Sequence, residues 1–161
     1  MLRTGVLFMS FALTTTAFQD GGEIAKKFTC SGADLSPAFS WSSTPAQTRS
    51  LALTADDPDA PAGTWTHWAL WNIPPHPGGL PEGIPADPEL KNGARQGRND
   101  FGRIGYGGPC PPPGKPHRYF FRIYALDTVL PLKAGSSKAD LQSAMKGHVL
   151  AESAWMGTFR R

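Results

Sequence analysis

Four side chains in this sequence have the types and spacing to do chemistry together: Asp57 and Asp59, set either side of Pro58, then His67, and far downstream His117. A carboxylate beside an imidazole holds the ring in one tautomer and leaves its other nitrogen free to meet a ligand. Two imidazoles acting as N–H donors, next to a glycine-rich loop with free backbone N–H groups, suit a phosphate or similar oxyanion. The stretch Tyr106 to Pro116, with five prolines and three glycines, is such a loop. The aspartates argue against a strongly electropositive pocket and favour a ligand with an anionic part joined to a cationic or hydroxyl part. Two histidines and two carboxylates are also a common metal set. No His-x-His or HExxH spacing is present, however, so a metal is the weaker reading. There is no G-x-S-x-G elbow, P-loop or GxGxxG, and Cys110 lies between prolines with no evident base. The chain therefore reads as a binding protein rather than an enzyme, with no cofactor. His76, between two prolines, and His148, in a predicted helix, read as structural residues.

These groups need elements to position them. Trp65 to Ile73 is rich in β formers with apolar residues on both faces, as in a central strand. Period-2 alternation puts His67 on the face of Trp65, Ala69 and Trp71. Arg118 to Asp127 is a second strand, and His117 at its mouth shares a face with Tyr119, Phe121 and Ile123. Asp57 and Asp59 lie in a turn made rigid by Pro58 and Pro61, just before the first of these strands. If the two strands share a sheet, the imidazoles and carboxylates converge at one rim. Further strands are expected over Phe11–Phe18, Glu23–Phe28, Phe39–Trp41, Ser50–Ala55 and Ala151–Phe159. Pro74 to Asn99 is a long ordered surface excursion. Ser137-Lys138-Ala139-Asp140 resembles a capping box opening the main helix, with Leu141, Ala144, Met145 and His148 at helical spacing and Gly147 as a bend or break.

Composition agrees. With 161 residues, 40% of them hydrophobic and 18% charged, the chain makes one folded domain with a substantial core. Its 16 prolines and 18 glycines leave little room for long helices. The net charge of +3 comes from scattered basic residues, which excludes a nucleic-acid footprint as the main reading. The Trp-rich strand reads as core rather than a base-stacking platform. Cys30 and Cys110 form no CxxC and read as two buried, unpaired thiols more readily than as a bridge. Arg3 and the apolar Val6–Met9 and Phe11–Leu13 resemble a short secretory leader, but no small-x-small cleavage site follows and the stretch is too short to span a membrane. Residues 1–10 are read as an extension, residues 11–161 as the domain, and the protein as cytoplasmic, without integral membrane association.

The assembled motifs resemble the phosphatidylethanolamine-binding protein family, in its bacterial and archaeal Raf kinase inhibitor-like branch. The first signature is Asp57-Pro58-Asp59-Ala60-Pro61, then His67-Trp68 and Asn72-Ile73-Pro74. The second is Gly107-Gly108-Pro109-Cys110-Pro111-Pro112, then Pro116-His117-Arg118-Tyr119-Phe120-Phe121. Gly97-Arg98-Asn99-Asp100-Phe101-Gly102 and Ala144 to Ala151 add to the match, which covers residues 11 to 161. The resemblance implies a mainly β fold, an antiparallel β-sandwich-like core with a few peripheral and C-terminal helices. It implies a small anion pocket built from Asp57, Asp59, His67, Gly108, Pro109, His117 and Tyr119. The implied role is a regulatory, kinase inhibitor-like binding protein for phosphate, a phosphorylated small molecule or a head group. Inhibition of a kinase or serine protease through the protein surface, and a phosphoester hydrolase, are the alternatives. A homodimer is a further expectation. The resemblance also sets Cys30 and Cys110 in loops near the pocket, where a contact or a disulfide is open. Ser31 follows Cys30 where this branch often carries Asp, softening the charge at the rim.

Overall fold

A computed structural model describes residues 9–161. Most of the predicted N-terminal extension, residues 1–8, lies outside the described residues. The chain order is Ala12–Thr14 (β1), Gly22–Glu23 (β2), a 3-10 turn at Lys26–Phe28, Phe39–Ser42 (β3), Ser50–Asp57 (β4), Trp65–Ile73 (β5), Gly79–Leu80 (β6), Arg95–Gln96 (β7), His117–Leu126 (β8), Lys138–Met145 (α1) and Val149–Phe159 (β9). Two sheets result, β1-β3-β6 and the six-stranded β2-β9-β8-β4-β5-β7. Every strand pair is antiparallel except β2 with β9, which is parallel.

The large sheet is buried on both faces at its centre. All eight residues of β4 are buried: Ser50–Ala55 are small or apolar on both faces, and Asp56 and Asp57 are buried against Lys138 and His117. Leu51, Leu53 and Ala55 join Trp68, Leu70, Tyr119, Phe121 and Ile123 beneath Leu13, Phe39 and Trp41 of the small sheet. On the other face Ala52, Ala69 and Trp71 pack under Leu141 and Met145 of α1. Trp68 and Trp71 are fully buried, so the Trp-rich strand is core.

The β4–β5 ladder carries two register shifts, and they correct the predicted facing of His67. Between the pairs Ala55↔Trp68 and Asp56↔Thr66, β4 advances one residue while β5 advances two. His67 is the extra residue, and such a bulge resets the alternation. Ala69 and Trp71 therefore lie under α1, while the His67 ring lies 5.2 Å from Tyr119, a residue of the opposite core. A second extra residue between Leu51↔Ile73 and Leu53↔Leu70 coincides with Asn72 at φ 55°.

Several element boundaries also differ from the sequence reading. The first strand stops at Thr14 because the Thr15 hydroxyl accepts the Ala17 N–H (3.1 Å) and donates to the Ala38 carbonyl (2.6 Å), a turn that competes with the ladder. Glu23–Phe28 is strand only at its start and then a 3-10 turn. The capping box is present: Ser137 Oγ accepts the Asp140 N–H at 3.1 Å and the Asp140 carboxylate accepts the Ser137 N–H at 3.3 Å. The helix ends at Met145, and Gly147 at φ 84° turns the chain straight into β9. His148 is outside it. The 74–99 excursion is ordered by Gln96, which is fully buried and accepts from Trp68 Nε1 while donating to the Pro85 and Asp87 carbonyls. Among the described residues no helix is long and apolar enough to cross a membrane.

The cysteine reading is overturned. Cys30 and Cys110 are bonded to each other with Cα atoms 5.4 Å apart, and Cys30 is exposed. Sequence spacing could not show that the loop after the 3-10 turn lies against the Gly-Pro loop, which the fold brings together from 80 residues away.

Candidate functional site

Asp57 closes β4, and Pro58 ends the ladder there. Asp57 Oδ1 accepts the Asp59 N–H at 2.8 Å, fixing the turn, and its Oδ2 accepts the His117 Nδ1–H at 2.7 Å. The meeting follows from register: Asp56 pairs with Phe120, so the end of β4 lies against the first residues of β8. The Asp57 and His117 side chains are only 5% and 12% exposed, which keeps this contact largely out of water.

His67 comes to the same place from β5, through its bulge. Its Nδ1–H donates to the Gly107 carbonyl at 2.6 Å, while the Gly107 N–H donates back to the His67 carbonyl at 2.9 Å. Burial pushes the ring below the usual histidine value, against the opposing pull of the Gly107 carbonyl and of Asp57. Tyr119 lies beneath: burial and then the Asp57 charge raise its phenol well above its ordinary value. Among the described residues its buried hydroxyl has no hydrogen-bond partner.

Asp57, His67 and His117 line a cleft of about 180 Å³. That is below the roughly 300–1,000 Å³ of drug-sized sites, so a small group fits and a large one must extend outside. Trp65, Phe101, Pro111 and Pro112 complete the walls, with Cys110 at one corner. Phe101 stacks edge-on against both Trp65 (5.4 Å) and His67 (5.3 Å). Its loop is held by Asn99 Oδ1, which accepts the N–H groups of Phe101 and Arg103, and by Asp100, which accepts the Thr66 N–H at 2.6 Å. Two guanidinium groups touch the wall residues: Arg103, over Phe101 at 5.4 Å and 3.9 Å from Asp34, and Arg161, whose Nε donates to the Pro111 carbonyl at 2.7 Å.

The structure thus brings Asp57, His67, His117 and Tyr119 together and gives three of the expected residues other work. Asp59 is not among the residues that line the cleft and forms a fork with Arg118, at 2.9 Å to Nε and 2.8 Å to Nη2, and also accepts the Arg118 N–H. That fork holds its carboxyl down to about 2. Gly108 donates its N–H to Asp34 Oδ1 at 2.8 Å, and a Cβ there would meet Asp34 and the Phe28 and Thr29 backbone. Pro109 accepts the Cys30 N–H at 3.1 Å. Gly107 and Gly108 therefore brace the loop and do not present free N–H groups. Phe101, Trp65, Pro111 and Pro112 were not assigned to the site from sequence. An aromatic set among Asn, Asp, Gly and Arg in residues 97–103 was the available signal for Phe101. No three His, Cys, Asp or Glu side chains converge as a metal set among the described residues.

Known proteins agree on the kinship. The chain is 54% identical over 149 residues to a UPF0098 protein of Methanothermobacter thermautotrophicus, covering 92% of this chain and 98% of that one. It is 47% identical to one from Aquifex aeolicus, over 90% and 85% of the two chains. The crystal structure of a phosphatidylethanolamine-binding protein homologue from Chlamydia trachomatis matches at TM-score 0.86 with 41% identity, covering 94% and 98%. That of Escherichia coli YbcL, described as a member of the mammalian family, matches at 0.87 with 34% identity, covering 95% and 99%. The sequence profile of the phosphatidylethanolamine-binding protein family matches residues 14–160, and the chain belongs to that family.

Proposed function

We propose that this protein is a non-enzymatic binding and regulatory protein whose cleft takes a small phosphate-type anion, alone or as the head of a phosphorylated molecule. The observation that carries the reading is His117, held by Asp57 at 2.7 Å with Nε2 left for a ligand at the mouth of the cleft. The carboxylate fixes the ring's tautomer and orientation, and an imidazolium held there donates a charge-assisted hydrogen bond to an oxyanion. Arg161, bonded to the Pro111 wall, favours negative charge, and Asp57, turned to His117, is the one carboxylate among the lining residues. Binding rather than turnover is favoured because the lining offers no free hydroxyl or thiol nucleophile, Cys110 being bonded to Cys30.

Calorimetric titration with phosphate, phosphoethanolamine and a phosphotyrosine analogue tests this on wild type and His117→Ala. Saturable binding that the variant loses supports the reading, and no binding by wild type ends it. Regulation of a kinase belongs to the same proposal, with the anion presented by a phosphorylated partner.

A second reading, inhibition of a kinase or protease through the surface, has one observation in its favour. The 74–99 excursion forms a groove of about 380 Å³ that includes Leu80, Pro81, Ile84, Pro85 and Leu90. Inhibition that survives His117→Ala but not Ile84→Asp would select it. The cytoplasmic placement has one observation against it, because an exposed disulfide favours an oxidising compartment outside hyperthermophile cytosols. Thiol alkylation in intact cells decides this: a modified Cys30 places the chain in a reducing compartment.

A further inference from the structure

Both histidines of the cleft spend their Nδ1–H inward, His67 on the Gly107 carbonyl at 2.6 Å and His117 on Asp57 at 2.7 Å. Carbonyl and carboxylate oxygens only accept, so in each neutral ring Nε2 carries a lone pair. The two rings differ in what a second proton would meet. On His117 it forms an ion pair with Asp57. On His67 it would place a positive charge in a ring 3% exposed, packed edge-on between Phe101 and Tyr119, whose hydrogen-bond partner is a neutral carbonyl.

The other groups around His67 do not supply a free counter-charge. From β4, Asp57 is engaged by His117 and Asp56 by Lys138 at 2.7 Å. From β8, Tyr119 and His117 face the ring, and Tyr119 is neutral. In the loop over it, Asp100 accepts the Thr66 N–H and Arg103 lies 3.9 Å from Asp34. His67 Nε2 therefore stays an acceptor, whereas His117 Nε2 becomes a donor when that ring is protonated.

We propose that the cleft selects oxyanions that still carry a proton, taking the monoanion of a phosphate monoester and discriminating against phosphodiesters and sulfate esters. The ligand's P–OH donates to His67 Nε2, and Nε2–H of a protonated His117, ion-paired with Asp57, donates to a phosphoryl oxygen. A phosphodiester or a sulfate ester at neutral pH has no such proton and sets an anionic oxygen against the His67 lone pair. The inference rests on the anion-binding reading above and narrows it to monoesters, since the phosphate of an intact phospholipid is a diester. The depressed basicity of His67 supports the same assignment.

Three soluble probes sharing an aminoethyl arm separate the cases: O-phosphoethanolamine, sn-glycero-3-phosphoethanolamine and O-sulfoethanolamine. Calorimetry from pH 5.5 to 8.5, in buffers of differing ionisation enthalpy, gives affinity and proton uptake. The monoester is expected to bind at least about tenfold more tightly than the other two at pH 5.5, the order of one charged hydrogen bond. Above its second pKa, near 6, its affinity should fall more steeply than that of the diester by about tenfold per pH unit, with about one proton more taken up. His67→Gln, which can turn an amide N–H to the cleft, should shrink both differences, with an unfolding curve as the check on folding. Equal affinity for the three probes with equal proton uptake overturns the selectivity while leaving anion binding in place. Absence of binding by every probe overturns the underlying reading and this inference with it. The wild-type comparison decides the matter even if the variant fails to fold.

Discussion

Removing the Cys30–Cys110 bridge should destabilise the fold substantially while leaving its architecture intact. The bridge closes a loop with a sequence separation of 80. Treating it as a constraint on the unfolded chain gives a loss of about 4.5 kcal/mol for a loop of that length, with native strain and residual structure lowering the realised figure. For a chain of this size 1 kcal/mol shifts Tm by about 2–4 °C, so the expected fall is about 9–18 °C. The native state keeps other ties between the same loops. Cys30 N–H to the Pro109 carbonyl, Gly108 N–H to Asp34 Oδ1 at 2.8 Å and the Tyr106 hydroxyl to the Phe28 carbonyl at 2.7 Å all survive a Cys30→Ala/Cys110→Ala change. The effect should therefore fall on the unfolded state, raising the urea m-value as that state expands. Urea unfolding of the oxidised wild type, the reduced wild type and the double variant measures it, with a thiol count confirming the redox state. The reduced protein and the variant should agree. A loss below about 1 kcal/mol would refute the reasoning, because the unfolded chain would then gain no freedom from losing the link.

Other substitutions report on the site. Gly108→Ala places a Cβ against Asp34, Phe28 and Thr29, and should destabilise by about 1–3 kcal/mol in urea unfolding. His67 is held below the ordinary histidine value, so between its folded and unfolded pKa the unfolded chain binds more protons. Stability of the ligand-free protein should accordingly be fully present above about pH 6.5 and decline as pH falls, less steeply in His67→Gln. Asp59→Asn breaks the fork with Arg118, a partly solvated contact, and should lose no more than about 1 kcal/mol at pH 6. Because the folded carboxyl sits near 2 against 3.8 for the free group, the gap between variant and wild type should close as pH falls from about 4 towards 2.

Much of this protein was legible in its sequence because it is written in local terms. Trp65–Ile73 was read to the residue, since Trp65, Thr66, Trp68, Trp71 and Ile73 are β formers and Pro74 ends the run. Ser137 and Asp140 marked the helix start through a reciprocal contact between near neighbours. His117 at the head of its strand and a carboxylate in the Asp-Pro turn were likewise visible as a pattern, though not which carboxylate meets the ring. Residues after Thr14 were misread because a threonine hydroxyl competing for a backbone N–H has no signature in propensity.

What only the tertiary structure decided is where each group spends its hydrogen bonds. Asp57 and Asp59 are chemically alike and two residues apart, yet register carries one to His117 and the other to Arg118. The bulge at His67 depends on how β4 steps past β5, which no single strand encodes, and it changes the core that the ring faces. Gly108 of the 106–116 loop looked like an anion ligand and instead braces the loop, because close approach of Phe28, Thr29 and Asp34 requires a missing Cβ there. Two cysteines far apart in the chain became a bridge because two loops meet at one corner of the cleft. The sequence sets residue types and local conformation; long-range register and loop contacts, which arise only when the sheets close, determine which donor meets which acceptor.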